Sequence, residues 1–290
     1  MTLRLRYAAI SDVGRVRKDN QDSGYAGPWL LAVCDGVGGA ARGDLASATA
    51  IGQLRKLDGK PPSTSSDDLR SQVAGALHRA NDRIAEIVDD DPSLSGTSTT
   101  ATLALFDGST LTFGHVGDSR AYLFRDHEIH QVTKDHTFVQ SLIDEGRITE
   151  EESRTHPHRN LILKAIDGVH DIDADLFDVE LQHGDRLLFC SDGASGVLDD
   201  GRLADILSMG TPDYAAVELV RASLEAGTND NVTCIVADIV EESEVPPDLQ
   251  AMTVGAAAEL KRRLHVPVPN LFRGHRAGDT GELEPVRAEI

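Results

Sequence analysis

The chain has 290 residues, 40% of them hydrophobic, and a net charge of −20 from 48 acidic against 28 basic side chains. That balance argues against nucleic acid and anionic membranes as main partners, since both are bound through basic surfaces. No apolar run approaches the roughly 20 residues that span a bilayer. The opening Met1-Thr2-Leu3-Arg4-Leu5-Arg6 lacks the apolar segment of a signal peptide, so a cytoplasmic protein is expected. Cys34, Cys190 and Cys234 each sit in an apolar run with no CxxC pair. They read as buried core residues of a reducing compartment, not as zinc ligands or a disulfide frame. Arginine in excess over lysine, with abundant alanine, glycine and aspartate, suits a G+C-rich bacterial genome.

In chain order, Arg4–Ser11 reads as a strand that runs into a polar, turn-rich stretch from Ser11 to Asp22. Trp29–Cys34 is a short apolar run ending at Asp35-Gly36, with Gly38 and Gly39 close behind. A run this short, bounded by a turn signal, suits a buried strand better than a helix. The Asp35 carboxylate then sits where the strand leaves the core, beside glycines that let backbone approach a ligand. Arg42–Leu57 and Asp68–Asp89 show helical spacing, the second with Leu69, Val73, Leu77, Ile84 and Val88 on its inner side. Gly96–Phe106, rich in β-branched residues, and Thr110–Val116 form a hairpin across Asp107-Gly108. Gly117-Asp118-Ser119-Arg120 follows, then a strand over Ala121–Arg125.

Thr133–Asp167 changes character. It is polar, holds Asp135-His136 and His156-Pro157-His158-Arg159 with one short helix over Phe138–Glu145, and reads as an excursion over the surface. Asp185–Cys190 is another buried strand ending in an acid, Ser191-Asp192-Gly193. Helices over Leu203–Met209 and Tyr214–Glu225 lead to Gly227-Thr228-Asn229-Asp230-Asn231 and a strand over Val232–Ile239. Residues 241–290 are charged and proline-marked, with one helix expected at Ala256–Leu264. This tail reads as a linker or a loosely docked segment, and Thr280 is its candidate phosphosite.

Asp35, Asp118, Asp192 and Asp230 therefore stand at strand boundaries, and Asp22 follows its polar turn. They are either independent turn residues or one cluster. Clustered carboxylates repel unless cations neutralise them. A donor set of hard oxygens without histidine or cysteine selects Mg²⁺ or Mn²⁺ over Zn²⁺. Spacing alone leaves both readings open.

Seven segments narrow the choice: Gly14-Arg15-Val16-Arg17 with Asn20-Gln21-Asp22, Asp35 through Gly39, Gly96-Thr97-Ser98-Thr99-Thr100-Ala101, Gly117 through Tyr122, Thr133 through Thr137, Ser191-Asp192-Gly193, and Asp230-Asn231-Val232-Thr233. In this order they resemble the bacterial type of the metal-dependent protein phosphatase 2C (PPM) family over about residues 5–240. The resemblance implies an α+β, four-layer α-β-β-α sandwich: two antiparallel sheets flanked by helices, with a flap at about 137–167. It further implies hydrolysis of phosphoserine and phosphothreonine in proteins by a hydroxide bridging two Mn²⁺ or Mg²⁺ ions. Phosphorylated proteins, including a bacterial Ser/Thr kinase, are the partners it suggests. By the same likeness Asp35 bridges the two ions and Gly36 offers its carbonyl. Asp192 and Asp230 complete one shell and Asp22 serves the other, while Asp118 with Asp192 holds a weaker third ion. Asp35 and Asp192 are the expected catalytic residues, and Arg17 binds the substrate phosphate.

Two departures stand out. Gln21 replaces a glutamate often found beside the metal-binding aspartate, and Val37 stands where some members carry a histidine proposed as general acid. The leaving-group proton is then expected from water held by the metals, with His136 as the alternative source. Two other readings remain open: a phosphatase of a phosphorylated transcription regulator, and a catalytically silent binding module.

Overall fold

The structure is a computed structural model that describes residues 2–37, 42–59, 62 and 65–265. Gly38, Gly39 and the tail from residue 266, with Thr280, lie outside the described residues. The elements run β1 (Leu3–Asp12), β2 (Asp22–Ala26), β3 (Leu30–Val37), α1 (Gly43–Leu54), α2 (Ser66–Asp90), β4 (Ser98–Thr99), β5 (Ala101–Phe106), β6 (Thr110–Val116), β7 (Arg120–Arg125) and β8 (Glu128–Gln131). They continue with α3 (Phe138–Asp144), α4 (Glu150–Arg154), β9 (Asp175–Glu180), β10 (Arg186–Cys190), α5 (Asp192–Ser195), α6 (Asp200–Leu207), α7 (Pro212–Glu225), β11 (Val232–Glu241), β12 (Met252–Gly255) and α8 (Ala256–His265).

One antiparallel sheet has the order β1-β11-β10-β7-β8; the other runs β12-β2-β3-β5-β6-β9, with β4 paired to the end of β3. The expected four-layer sandwich follows from how strand residues alternate between faces. Leu31 and Val33 of β3 and Phe189 and Ile235 of the other sheet meet in the central layer. Leu30, Ala32 and Cys34 face α1 and α2. Leu188, Cys190, Cys234 and Val236 face α6 and α7. These strands are buried on both faces, which is why the sequence shows uninterrupted apolar runs there and not an alternating pattern. All three cysteines are buried free thiols. Helix α2 packs Leu69, Val73, Leu77 and Ile84 inward as its spacing requires.

The structure differs from the sequence expectation at the sheet edges and in the tail. β2, β8, β9 and β12 are strands that the pattern does not mark: they are short, and outside β2 largely half-exposed. The fold does not stop at residue 240. β12 pairs with β2 in register Thr253↔Tyr25, Ala256 is buried, and the Ala257 N–H donates to Ser23 Oγ at 3.1 Å. Residues 252–265 are thus a docked edge strand and helix, not linker; edge placement gave them the polar composition of a tail. The helix expected at Ala256–Leu264 is α8. Among the described residues no helix is long and apolar enough to cross a membrane.

Candidate metal centre

The five aspartates come from five separate places along the chain. Asp22 opens β2 and pairs with Asp35 near the end of β3. Asp192 begins the turn of helix after β10, and Asp230 precedes β11, the neighbour of β10. Asp118 lies in the turn between β6 and β7. Asp22 and Asp118 are buried and Asp35 and Asp192 half-buried, and Asp35 and Asp192 each interact with the other carboxyl groups of the set.

The electrostatic consequence is large. Burial, and then repulsion from Asp22, Asp192, Asp118 and Asp230, push the Asp35 carboxyl well above the usual carboxylate range. Burial and Asp192 do the same to Asp118. Burial raises Asp22 to about 7 even though Ser191 and Thr233 donate to it, and burial with Asp230 raises Asp192 to about 6. A hydrogen bond from the Asp35 carboxyl partly offsets the rise at Asp192. Asp192 Oδ1 is buried and takes no hydrogen bond from an N–H or hydroxyl donor. A buried acceptor left open normally costs about 1–3 kcal/mol. An oxygen-only, mutually repelling donor set with one open acceptor fits a hard divalent cation. Among the described residues no three His, Cys, Asp or Glu side chains already close around one ion position; Asp230, for one, is bonded to Arg17 (Nη2 to Oδ2, 2.7 Å).

The backbone under these carboxylates is held by hydroxyls and amides that the sequence reading left without a role. Thr99 Oγ1 donates to the Asp35 carbonyl at 2.8 Å, Thr100 N–H donates to the same oxygen at 2.8 Å, and Asp35 N–H donates to Thr100 Oγ1 at 2.9 Å. Ser191 Oγ (2.6 Å) and Thr233 Oγ1 (2.8 Å) both donate to Asp22 Oδ2. Asn231 accepts from Gln21 N–H and donates to the Val13 and Asp19 carbonyls, so it shapes the loop that carries Arg17. The run of threonines after Gly96 and the Asn following Asp230 are the signals that could have found these supports.

Gly36 lies where only glycine fits: a Cβ there would meet the Gly43 carbonyl carbon and oxygen at 2.4 Å. Gln21 is used mainly through its backbone, its carbonyl accepting from Gly36 N–H at 3.1 Å and from Ser47 Oγ. His136 has both ring nitrogens engaged, Nδ1 with Gly117 N–H at 3.1 Å and Nε2 with Asp175 Oδ2 at 3.2 Å. It is therefore a tethered side chain and not a free proton donor. A cavity of about 360 Å³ opens beside Asp118 and Asp192 and is closed on its far side by Gln140, Ile143, Arg154 and Arg159 of the 137–167 excursion.

Comparison with known proteins agrees with this geometry. The profile of the family described as Protein phosphatase 2C matches residues 11–157. The serine/threonine protein phosphatase PstP of Mycobacterium tuberculosis is 46% identical over 83% of this chain, and the chain spans 46% of that protein's length. The protein phosphatase PhpP of Streptococcus pneumoniae is 32% identical over 82% of this chain and 99% of its own. The solved catalytic domain of PstP in complex with two manganese ions superimposes with a TM-score of 0.77 at 44% identity, covering 83% of this chain and all of that one. The profile match and these relatives lead to one assignment: the chain belongs to the protein phosphatase 2C family.

Proposed function

We propose that this chain is a Mn²⁺- or Mg²⁺-dependent Ser/Thr phosphatase that hydrolyses phosphoserine and phosphothreonine in proteins. The observation that supports it most is the cluster itself. Four carboxyl groups, Asp22 and Asp118 buried and Asp35 and Asp192 half-buried, are raised by desolvation and mutual repulsion, with Asp192 Oδ1 left without a hydrogen-bond donor. Such a cluster is costly to fold and becomes favourable once cations enter.

In this reading Asp35, the Gly36 carbonyl, Asp192 and Asp230 hold two ions together with Asp22, and Asp118 with Asp192 offers a third, weaker position. Bound divalent ions supply the Lewis-acid chemistry that makes water a nucleophile near neutral pH and neutralises phosphoryl oxygens. The protein's own groups set the geometry. Asp35 and Asp192 fix where the charge resides, and Thr99 and Thr100 keep Asp35 from turning away. Arg17 is half-exposed at the mouth and offers a planar guanidinium suited to two phosphate oxygens. Asp230 then exchanges its bond with Arg17 for a cation. Val37 contributes no proton, and the buried thiols, Cys34 pushed far up and Cys190 pushed to about 12 by burial, take no nucleophilic part. Phosphorylated proteins, a bacterial Ser/Thr kinase among them, are the partners this chemistry serves, in the reducing cytoplasm where three unpaired thiols persist.

Hydrolysis of a phosphothreonine peptide by metal-stripped protein tests the reading. Turnover is expected to appear with Mn²⁺ and vanish with EDTA. Folded protein that stays inert at saturating Mn²⁺, or active in EDTA, refutes it.

A further inference from the structure

Asp118 differs from the other carboxylates in how it is held. Its carboxylate takes no hydrogen bond from another residue among the described contacts, yet it is only 7% exposed. Its position is fixed through its neighbours in the chain: Ser119 is bonded to Thr100 and Thr102 of the core sheet, and Gly117 and Arg120 are gripped by two consecutive residues at the root of the flap.

On one side is Gly117. His136 N–H donates to the Gly117 carbonyl at 2.7 Å, and Gly117 N–H donates to His136 Nδ1 at 3.1 Å. Both backbone groups of Gly117 thus end on one histidine. Gly117 has φ of +109°, and a Cβ there would meet Thr100 at 2.5 Å, so the turn has no other way to pass. On the other side is Arg120. Asp135 takes three contacts from its guanidinium, at 2.9, 3.1 and 2.7 Å. The imidazole is itself pinned. Nδ1 accepts, so Nε2 carries the proton and lies 3.2 Å from Asp175 Oδ2, and the ring packs on His115 with centroids 4.8 Å apart. The returning flap segment closes the set, Leu163 N–H donating to the His136 carbonyl at 2.8 Å.

We propose that Asp135 and His136 are positioning residues that clamp both ends of the Asp118 turn to the flap root, so that seating of the flap decides how well Asp118 is presented to the third, weakest cation. The inference rests on the reading of Asp118 as a ligand of that cation. It makes the flap a regulator of metal occupancy as well as a wall of the cavity.

Calorimetric titration of Mn²⁺ into metal-stripped protein tests it, with Asp118→Asn as reference. Asp118→Asn is expected to abolish the weakest binding step. His136→Leu should weaken that step by about 10-fold, the effect typical of groups that orient a ligand, and leave the tighter steps unchanged. His136→Asn, whose side-chain oxygen falls near the Nδ1 position, should restore most of the loss. Nuclear magnetic resonance of unmodified, metal-free protein should show an unprotonated Nδ1 on His136 and a Gly117 amide protected from exchange. If Asp118→Asn leaves every step intact, the ligand assignment of Asp118 fails, and the clamp with it. If Asp118→Asn removes the step while His136→Leu does not change it, the clamp alone is overturned. Should His136→Leu not fold, rapid exchange at Gly117 in the unmodified protein overturns the clamp and strong protection supports it.

Discussion

Asp22 and Asp118 flank Asp35 and Asp192 in one cluster, and the protein supports them by different means. Asp22 is bonded directly: two hydroxyls, from the residue after β10 and from β11, donate to its Oδ2. These donors stand on central strands buried on both faces, so the carboxylate is preorganised by the stiffest part of the fold. Asp118 sits in a turn and is held through its neighbours: Ser119 is bonded to Thr100 and Thr102, and Gly117 and Arg120 have their anchors, His136 and Asp135, at the root of a surface excursion. A cation bound at the first must displace little; at the second it depends on the placement of a flap with few buried residues. The difference gives a physical reason for one firm and one adjustable end in the same site.

Removing the central carboxylates should have the largest effect. Asp35→Asn and Asp192→Asn are expected to lower phosphothreonine-peptide turnover on the order of 10³-fold, since several kcal/mol of electrostatic stabilisation are withdrawn. Circular dichroism should show an unchanged fold. Turnover that is unaltered in both variants contradicts the site.

Next is the response to pH and metal. Asp22 and Asp192 are raised to about 7 and 6 by burial. A carboxyl raised on folding contributes stability that is fully present below its unfolded value, near 4, and is lost as pH climbs through the folded value. Metal-free protein should therefore lose stability relative to Asp192→Asn between pH about 4 and 7. Mn²⁺ at about 100 times its dissociation constant should restore roughly 3 kcal/mol, a rise in Tm of about 5–10 °C. Thermal unfolding with and without EDTA measures both. A metal-free Tm that rises across this window relative to the variant would break the electrostatic description.

A smaller effect separates the two ends. Thr233→Val removes one donor to Asp22 and should weaken Mn²⁺ at that position about 10-fold, at a stability cost of about 1 kcal/mol. The weakest calorimetric step should not move. Least of all, Thr149→Ala breaks the capping box of α4. Hydrogen exchange in the flap should report a local loss of about 1 kcal/mol, with peptide turnover unchanged.

The middle of the cluster was more legible than its firm end. Asp35, Asp192 and Asp230 adjoin strands buried on both faces, where an apolar run stops at a carboxylate, and that contrast survives in a single sequence. β2 did not show itself, because Asp22–Ala26 reads D-S-G-Y-A and owes its burial to its neighbours. Asp22 was found through its motif instead. The supports went unseen for a related reason. Thr99, Thr100, Ser191 and Thr233 read as ordinary β-branched or small residues until the strands bring their hydroxyls to the aspartates. The pairing of Gly117 with His136 spans 19 residues of sequence and has no periodic signature. At residue 240 composition misled, since the edge strand β12 and the helix α8 keep solvent-facing residues while completing the sheet.

The most direct measurement is anomalous diffraction from crystals soaked in Mn²⁺. Two strong peaks bridged by the Asp35 carboxylate are expected, one also touching Asp192 and Asp230, with a weaker third beside Asp118. Peaks that avoid Asp35 and Asp192, or a cluster that remains free of metal at saturating Mn²⁺, would contradict a centre built to be neutralised by cations.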